Sequence, residues 1–248
     1  MKISYCILLI ILGLMGSPNL ICQEISSKSE KSFSKIRVKP NNVLNSSLMN
    51  NFGKKYHAKV SFPDSREKKN SLIIALHWAG NTNTYKEFHD CLITKGFQEL
   101  NAILISPESE GQLWNTKNNI DKIKSIVDNA VKFWNVDSKR VAITGYSNGG
   151  NGSWYFAEHY PELFTAAIPM ASLYSLNSKI EIPVYAIHGL KDELFQVSKT
   201  EKYINKSIEK GSNITFIINE QLSHFQACAY TQDLKIASRW LKNIWKIK

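Results

Sequence analysis

From about residue 56 onward, short apolar runs alternate with longer stretches whose apolar side chains recur every three to four positions. The runs YHAKVSFP (56–63), SLIIALHW (71–78), AILISP (102–107), RVAITGYS (140–147), TAAIPMAS (165–172), IPVYAIHG (182–189) and NITFIIN (213–219) have strand length and composition. Helical periods lie between them at 119–135, 152–160 and 199–210, and one more closes the chain over DLKIASRWLKNIWKIK. Continuous apolar strands separated by helices predict an α/β fold, a mostly parallel sheet covered on both faces. No internal repeat interrupts the pattern.

The first residues follow a different rule. Lys2 precedes an apolar run from Ile3 to Gly16, and Ser17, Pro18 and Asn19 follow it, which is the layout of a signal peptide. The run falls short of the ~20 residues needed to cross a bilayer, so no stable membrane span is expected. The expectation is export, to the periplasm or the medium, with residues 1–22 removed and Gln23 as the new N-terminus. Lipidation of Cys22 is the alternative, disfavoured by the bulky Ile21 before it. Residues 23–48 are polar, serine-rich and aperiodic and read as a flexible lead-in, with the folded unit spanning 49–248. Removing the leader leaves Cys91 and Cys228, which either pair or stay as buried thiols.

With 248 residues, 43% of them hydrophobic and 21% charged, the chain can bury one sizeable core. Its net charge of +10 comes from lysines scattered through a sequence biased toward Lys, Asn, Ile and Ser, so no nucleic-acid surface is implied. The one patterned cluster, Lys235, Arg239, Lys242 and Lys246, lies opposite Leu234, Ala237, Leu241 and Ile244 and fits the solvated face of a docked helix.

Candidate chemistry centres on VAITGYSNGG (141–150), where a strand runs into Ser147 flanked by Gly145 and Gly149. A G-x-S-x-G match alone is weak, but a strand before and a helix after are what a nucleophile elbow requires. A serine nucleophile needs a histidine to take its proton and an acid to orient that histidine, in the chain order Ser, acid, His. His159 lies within the helix after the elbow and His188 ends a strand, whereas His224 follows the last strand, where the base belongs. Asp192, in IHGLKDELF, is the favoured acid over its neighbour Glu193. Oxyanion donors are expected from the N–H of Asn148 and from the loop after the strand at 71–78, at Ala79 or, failing that, Trp78.

The segment VDSKRVAITGYSNGGNGSWYFAEHYPELFTAAIPMAS (136–172), followed by IPVYAIHGLKDEL and SHF, resembles the secreted α/β-hydrolases grouped as phospholipase/carboxylesterase-like and polyhydroxybutyrate-depolymerase-like esterases, feruloyl esterases among them. The resemblance covers about residues 70–245. It implies the α/β-hydrolase fold and ester hydrolysis through an acyl-enzyme by Ser147, Asp192 and His224, without metal or cofactor. One departure stands out: where members carry His-Gly after the early strand, this chain has His77-Trp78.

An ester hydrolase is thus the leading expectation, acting on a small-molecule or polymer-linked ester. A serine peptidase or amidase on the same triad and a catalytically silent binding scaffold are the alternatives. Between Ser172 and the next strand only LYSLNSKIE intervenes, too short for a cap domain. The site should therefore be an open cleft walled by loops carrying Trp78, Trp114 and Tyr174, with Trp114 either stacking on a substrate ring or packing as a core or rim residue. The sequence sets no oligomeric state.

Overall fold

The computed structural model describes residues 18–64 and 68–246, so most of the expected leader lies outside the described residues. Eight strands form one sheet in the order β1-β2-β4-β3-β5-β6-β7-β8. They are β1 (Val43–Met49), β2 (Lys55–Ser61), β3 (Asn70–Leu76), β4 (Ile103–Pro107), β5 (Val136–Tyr146), β6 (Ala166–Met170), β7 (Val184–Lys191) and β8 (Ile214–Ser223). From β4 to β8 every neighbouring pair is parallel, while β2 pairs antiparallel with both β4 and β1. The expected mostly parallel architecture is present.

Helices cover both faces because the central strands are apolar on both sides. On one face α1 (Pro18–Ser34), α4 (Lys117–Phe133), α5 (Asn148–His159) and α6 (Val197–Glu209) pack Phe33, Ile123, Ile126, Trp154, Phe156 and Ile204 against Leu72, Ile74, Ile103 and Ile143. On the other, Phe88 of α2 (Thr84–Phe88), Leu92 of the following π-helical turn (His89–Ile93), and Leu234, Ala237 and Leu241 of α7 (Thr231–Trp245) cover Ile73, Ala142 and Ile168. A short helix α3 (Thr94–Gly96) completes the α2 segment. Fully burying one such aliphatic or aromatic side chain is worth about 1.5–3 kcal/mol, so the two layers together hold the sheet.

Two parts of the sequence-based picture need correction. Residues 23–48 are not an irregular lead-in: α1 runs through them to Ser34, and β1 starts at Val43. Phe33 is fully buried, its ring 5.0 Å from that of Trp134, and the Ser29 hydroxyl donates to the Met49 carbonyl at 2.8 Å. A helix anchored by one aromatic and by serine hydrogen bonds leaves almost no apolar period, which explains why the pattern hid it. The helical run from Thr84 to Gly96 is likewise absent from the predicted set. Residues 171–183, between β6 and β7, contain no helix, so nothing inserted there covers the site.

Candidate active site

In a parallel sheet the carboxyl ends of the strands form one edge, and loops leaving them meet there. Trp78 and Ala79 follow β3, Ser147 follows β5, Asp192 follows β7 and His224 follows β8. The fold thus brings together residues spread from 78 to 224.

Ser147 sits at the turn between β5 and α5 with φ 57° and ψ −119°, a conformation rarely adopted by any residue with a side chain. The crowding around it explains the flanking glycines. A Cβ on Gly149 would come within 1.8 Å of the Leu76 carbonyl oxygen, and one on Gly145 within 2.1 Å of the Gly149 oxygen. β5, β3 and α5 can approach so closely only without side chains at these two positions. The Ser147 N–H donates to the Met170 carbonyl at 3.0 Å, tying the strained turn to β6.

From this turn the Ser147 hydroxyl reaches His224 Nε2 at 2.9 Å, and His224 Nδ1 reaches Asp192 Oδ2 at 2.8 Å. The carboxylate only accepts, so Nδ1 carries the proton and Nε2 is left with a lone pair facing the serine hydroxyl. Asp192 Oδ1 accepts the N–H groups of Leu194 at 3.0 Å and Phe195 at 2.7 Å. Burial pushes the Asp192 carboxyl upward, but its hydrogen bonds to His224 and Phe195 outweigh that and hold it below its ordinary value, ionised at neutral pH.

Several neighbours with no motif of their own orient these groups. Glu193, the alternative acid in the sequence, accepts the His224 backbone N–H at 2.9 Å. Its carboxylate therefore holds the main chain of the histidine, while Asp192 faces the ring. The Tyr146 hydroxyl donates to the His224 carbonyl at 2.7 Å, and burial raises that phenol well above its usual range, keeping it neutral. His188 is buried, its Nε2 2.7 Å from the Phe195 carbonyl and 3.4 Å from Asp192 Oδ2, and burial lowers its pKa. Of these three, Glu193 and Tyr146 adjoin triad residues in the sequence, and Glu193 and His188 were among the candidate acids and bases there.

The loop after β3 is held just as closely. His77 Nδ1 lies 2.6 Å from the Trp78 carbonyl, and Nε2 accepts the Ser109 N–H at 3.1 Å, which assigns the proton to Nδ1. Burial lowers this imidazole's pKa to about 4, so it stays neutral. Trp114 Nε1 donates to the His77 carbonyl at 3.0 Å. Trp114 itself is only 2% exposed and packs against Gly152. Of the two roles the sequence left open for it, the packed one is found and the substrate-platform one is corrected: its indole braces the β3 loop from behind. Tyr174, also expected at the rim, lies 3.3 Å from His159 Nε2 and packs on the core of the α5 face.

Trp78 and Ala79 do line the cleft, a cavity of about 500 Å³ that also exposes Ser147, His224, Leu194 and Phe225. The Trp78 ring stacks edge-on against Phe88 and Tyr146 at 5.4 and 6.0 Å, so it forms part of the wall. Asn148 is the first residue of α5, whose opening N–H groups have no intrahelical acceptor. Cys91 and Cys228, left open by the sequence, are joined in a disulfide, and Cys228 lies on the cleft wall just beyond His224. Among the described residues, no group of three or more His, Cys, Asp or Glu side chains is arranged to hold a metal ion.

The Dienelactone hydrolase family pattern matches residues 56–238. Protein usf of Aquifex pyrophilus is 26% identical over 129 residues, 48% of this chain and 56% of its own. Cutinase est2 of Thermobifida alba is 24% identical over 191 residues, 74% of this chain and 62% of its own. Acetylxylan esterase A of Emericella nidulans is 28% identical over 133 residues, 46% of this chain and 41% of its own. The chain thus spans less than two thirds of the length of each of these relatives. Among solved structures, a thermostable esterase superposes with a TM-score of 0.67 at 19% identity, over 81% of this chain and 62% of that one. The carboxylesterase EstE1 does so at 0.66 and 14%, over 94% and 99%. At these identities they establish the fold, that of the α/β-hydrolases. Because the family pattern runs from β2 into α7 and takes in the serine, the aspartate and the histidine of the hydrogen-bonded chain, the protein belongs to the dienelactone hydrolase family.

Proposed function

We propose that the protein is a serine hydrolase that cleaves carboxylic esters through an acyl-enzyme. The observation that carries this reading is the continuous Ser147–His224–Asp192 hydrogen-bonded chain mounted on a strained strand-to-helix turn. Ser147 Oγ attacks the ester carbonyl carbon while its proton passes to His224 Nε2. The negative charge that develops on the carbonyl oxygen is met by the N–H groups of Asn148 and Ala79, helped by the N-terminus of α5. As the intermediate collapses, the C–O bond to the alcohol breaks and His224 returns the proton to the departing oxygen. Water then attacks the acyl-serine by the same route, releasing the acid and restoring the serine. Asp192 keeps the imidazole in the required tautomer and stabilises it when charged.

The open cleft, with no insertion between β6 and β7, supports short acyl groups or an ester projecting from a polymer over a long fatty chain. Acetyl to butyryl or feruloyl-type esters are the expected best substrates, which agrees with the ester-cleaving names of the relatives. The apolar run Ile3–Gly16 and the Cys91–Cys228 disulfide support export, since disulfides persist in oxidising compartments.

The test is Ser147→Ala. It should abolish turnover of short p-nitrophenyl esters, with a loss of about a thousandfold or more, and leave the circular dichroism spectrum unchanged. A fluorophosphonate probe should label wild type at Ser147. Wild-type rates in the alanine variant would refute the proposal.

A further inference from the structure

The cleft beside Ser147 has an uneven charge pattern. Glu87, exposed on the last turn of α2, lines it together with Trp78, Leu194 and Phe225, and no lysine or arginine is among the lining residues. Asp192 and Glu193 stand behind the histidine. The Glu87 carboxylate is engaged by no side chain among the described residues. Its neighbour Lys86 is turned away, with its ammonium donating to Asn83 Oδ1 at 3.0 Å and lying over the Tyr85 ring. A protein with a net charge of +10 thus presents an acidic, largely apolar pocket at its candidate catalytic edge.

A substrate carboxylate entering this cleft would lose water to apolar walls, find no cation to replace it, and meet a like charge. A neutral group loses nothing comparable, and an ammonium gains a partner. We infer that the cleft selects esters whose bound portion is uncharged or cationic and rejects anionic ones, with Glu87 as the residue that sets this preference. The inference rests on the esterase reading and narrows its substrate class.

The experiment compares kcat/KM for three p-nitrophenyl esters with acyl chains of matched length ending in methyl, trimethylammonium or carboxylate. It is run on wild type, Glu87→Gln and Glu87→Lys, at low ionic strength and again in 0.5 M NaCl. In wild type the methyl ester should exceed the carboxylate ester by about fivefold or more, and salt should shrink the ratio. Glu87→Gln should narrow the ratio and Glu87→Lys should invert it. Equal rates on the methyl and carboxylate esters in wild type, or a ratio that Glu87→Gln leaves unmoved, would overturn the inference while leaving the esterase reading intact. Failure to hydrolyse any of the three would instead count against the esterase reading itself.

Discussion

Breaking the Cys91–Cys228 disulfide should weaken the fold far more than the chemistry. Cys91 lies in the π-helical turn after α2, and Cys228 lies in the short turn between His224 and α7. The bond joins residues 137 positions apart and so encloses everything from β4 to β8. A cross-link of that span removes about 17 cal/mol/K of chain entropy from the unfolded state, or about 5 kcal/mol at 25 °C. At about 3 kcal/mol per molar urea, the unfolding midpoint of a Cys91→Ser/Cys228→Ser double variant should fall by about 1.7 M, and its Tm by about 10–20 °C. Catalysis should suffer less, because His224 is also held by Asp192, Glu193 and Tyr146, so kcat should stay within about tenfold of wild type. The assay is urea unfolding followed by tryptophan fluorescence, paired with steady-state ester hydrolysis and a thiol titration of unfolded wild type. An unchanged midpoint in the double variant, or two free thiols in wild type lacking residues 1–22 and with them Cys6 and Cys22, would refute the reasoning.

Acid should destabilise the protein earlier than its carboxylates alone would suggest. Burial lowers His77 and His89 to about 4, below their unfolded value of ~6.5, so the unfolded chain takes up protons first. Their contribution of about 3 kcal/mol each is fully present above pH 6.5 and is lost as the pH falls toward 4. The urea midpoint should therefore decline across that window, with a shallower slope in His89→Gln, and a flat profile would contradict the assignment. Asp192→Asn should lower kcat by about a thousandfold or more, whereas Glu193→Gln, which keeps an oxygen to accept the His224 N–H, should cost less than tenfold. The reverse order in ester turnover assays would move the acid to Glu193.

What the sequence determined by itself was set by local periodicity and by short-range chemistry. The continuous apolar runs of β3, β4 and β6 have the length and composition of strands buried on both faces, and that already implied a mostly parallel sheet between helices. The spacing around Ser147, with glycines on both sides, was legible because the backbone there leaves no room for a Cβ. The order of Ser147, Asp192 and His224 followed from where each falls after a strand. Tertiary structure decided whatever depended on contacts between distant segments. Only packing against Trp134 and β1 shows that α1 is part of the fold, because a helix with few apolar residues has no period to reveal it. Asp192 and Glu193 are neighbours of similar chemistry, and the turn geometry after β7 alone aims one at the imidazole and the other at the main chain. Trp114 follows a strand end much as Trp78 does, yet the approach of Gly152 draws it behind the β3 loop instead of into the cleft. The pairing of Cys91 with Cys228 and the placing of Glu87 beside Ser147 likewise arise where the α2 segment meets the loop after β8, a meeting that no local pattern encodes.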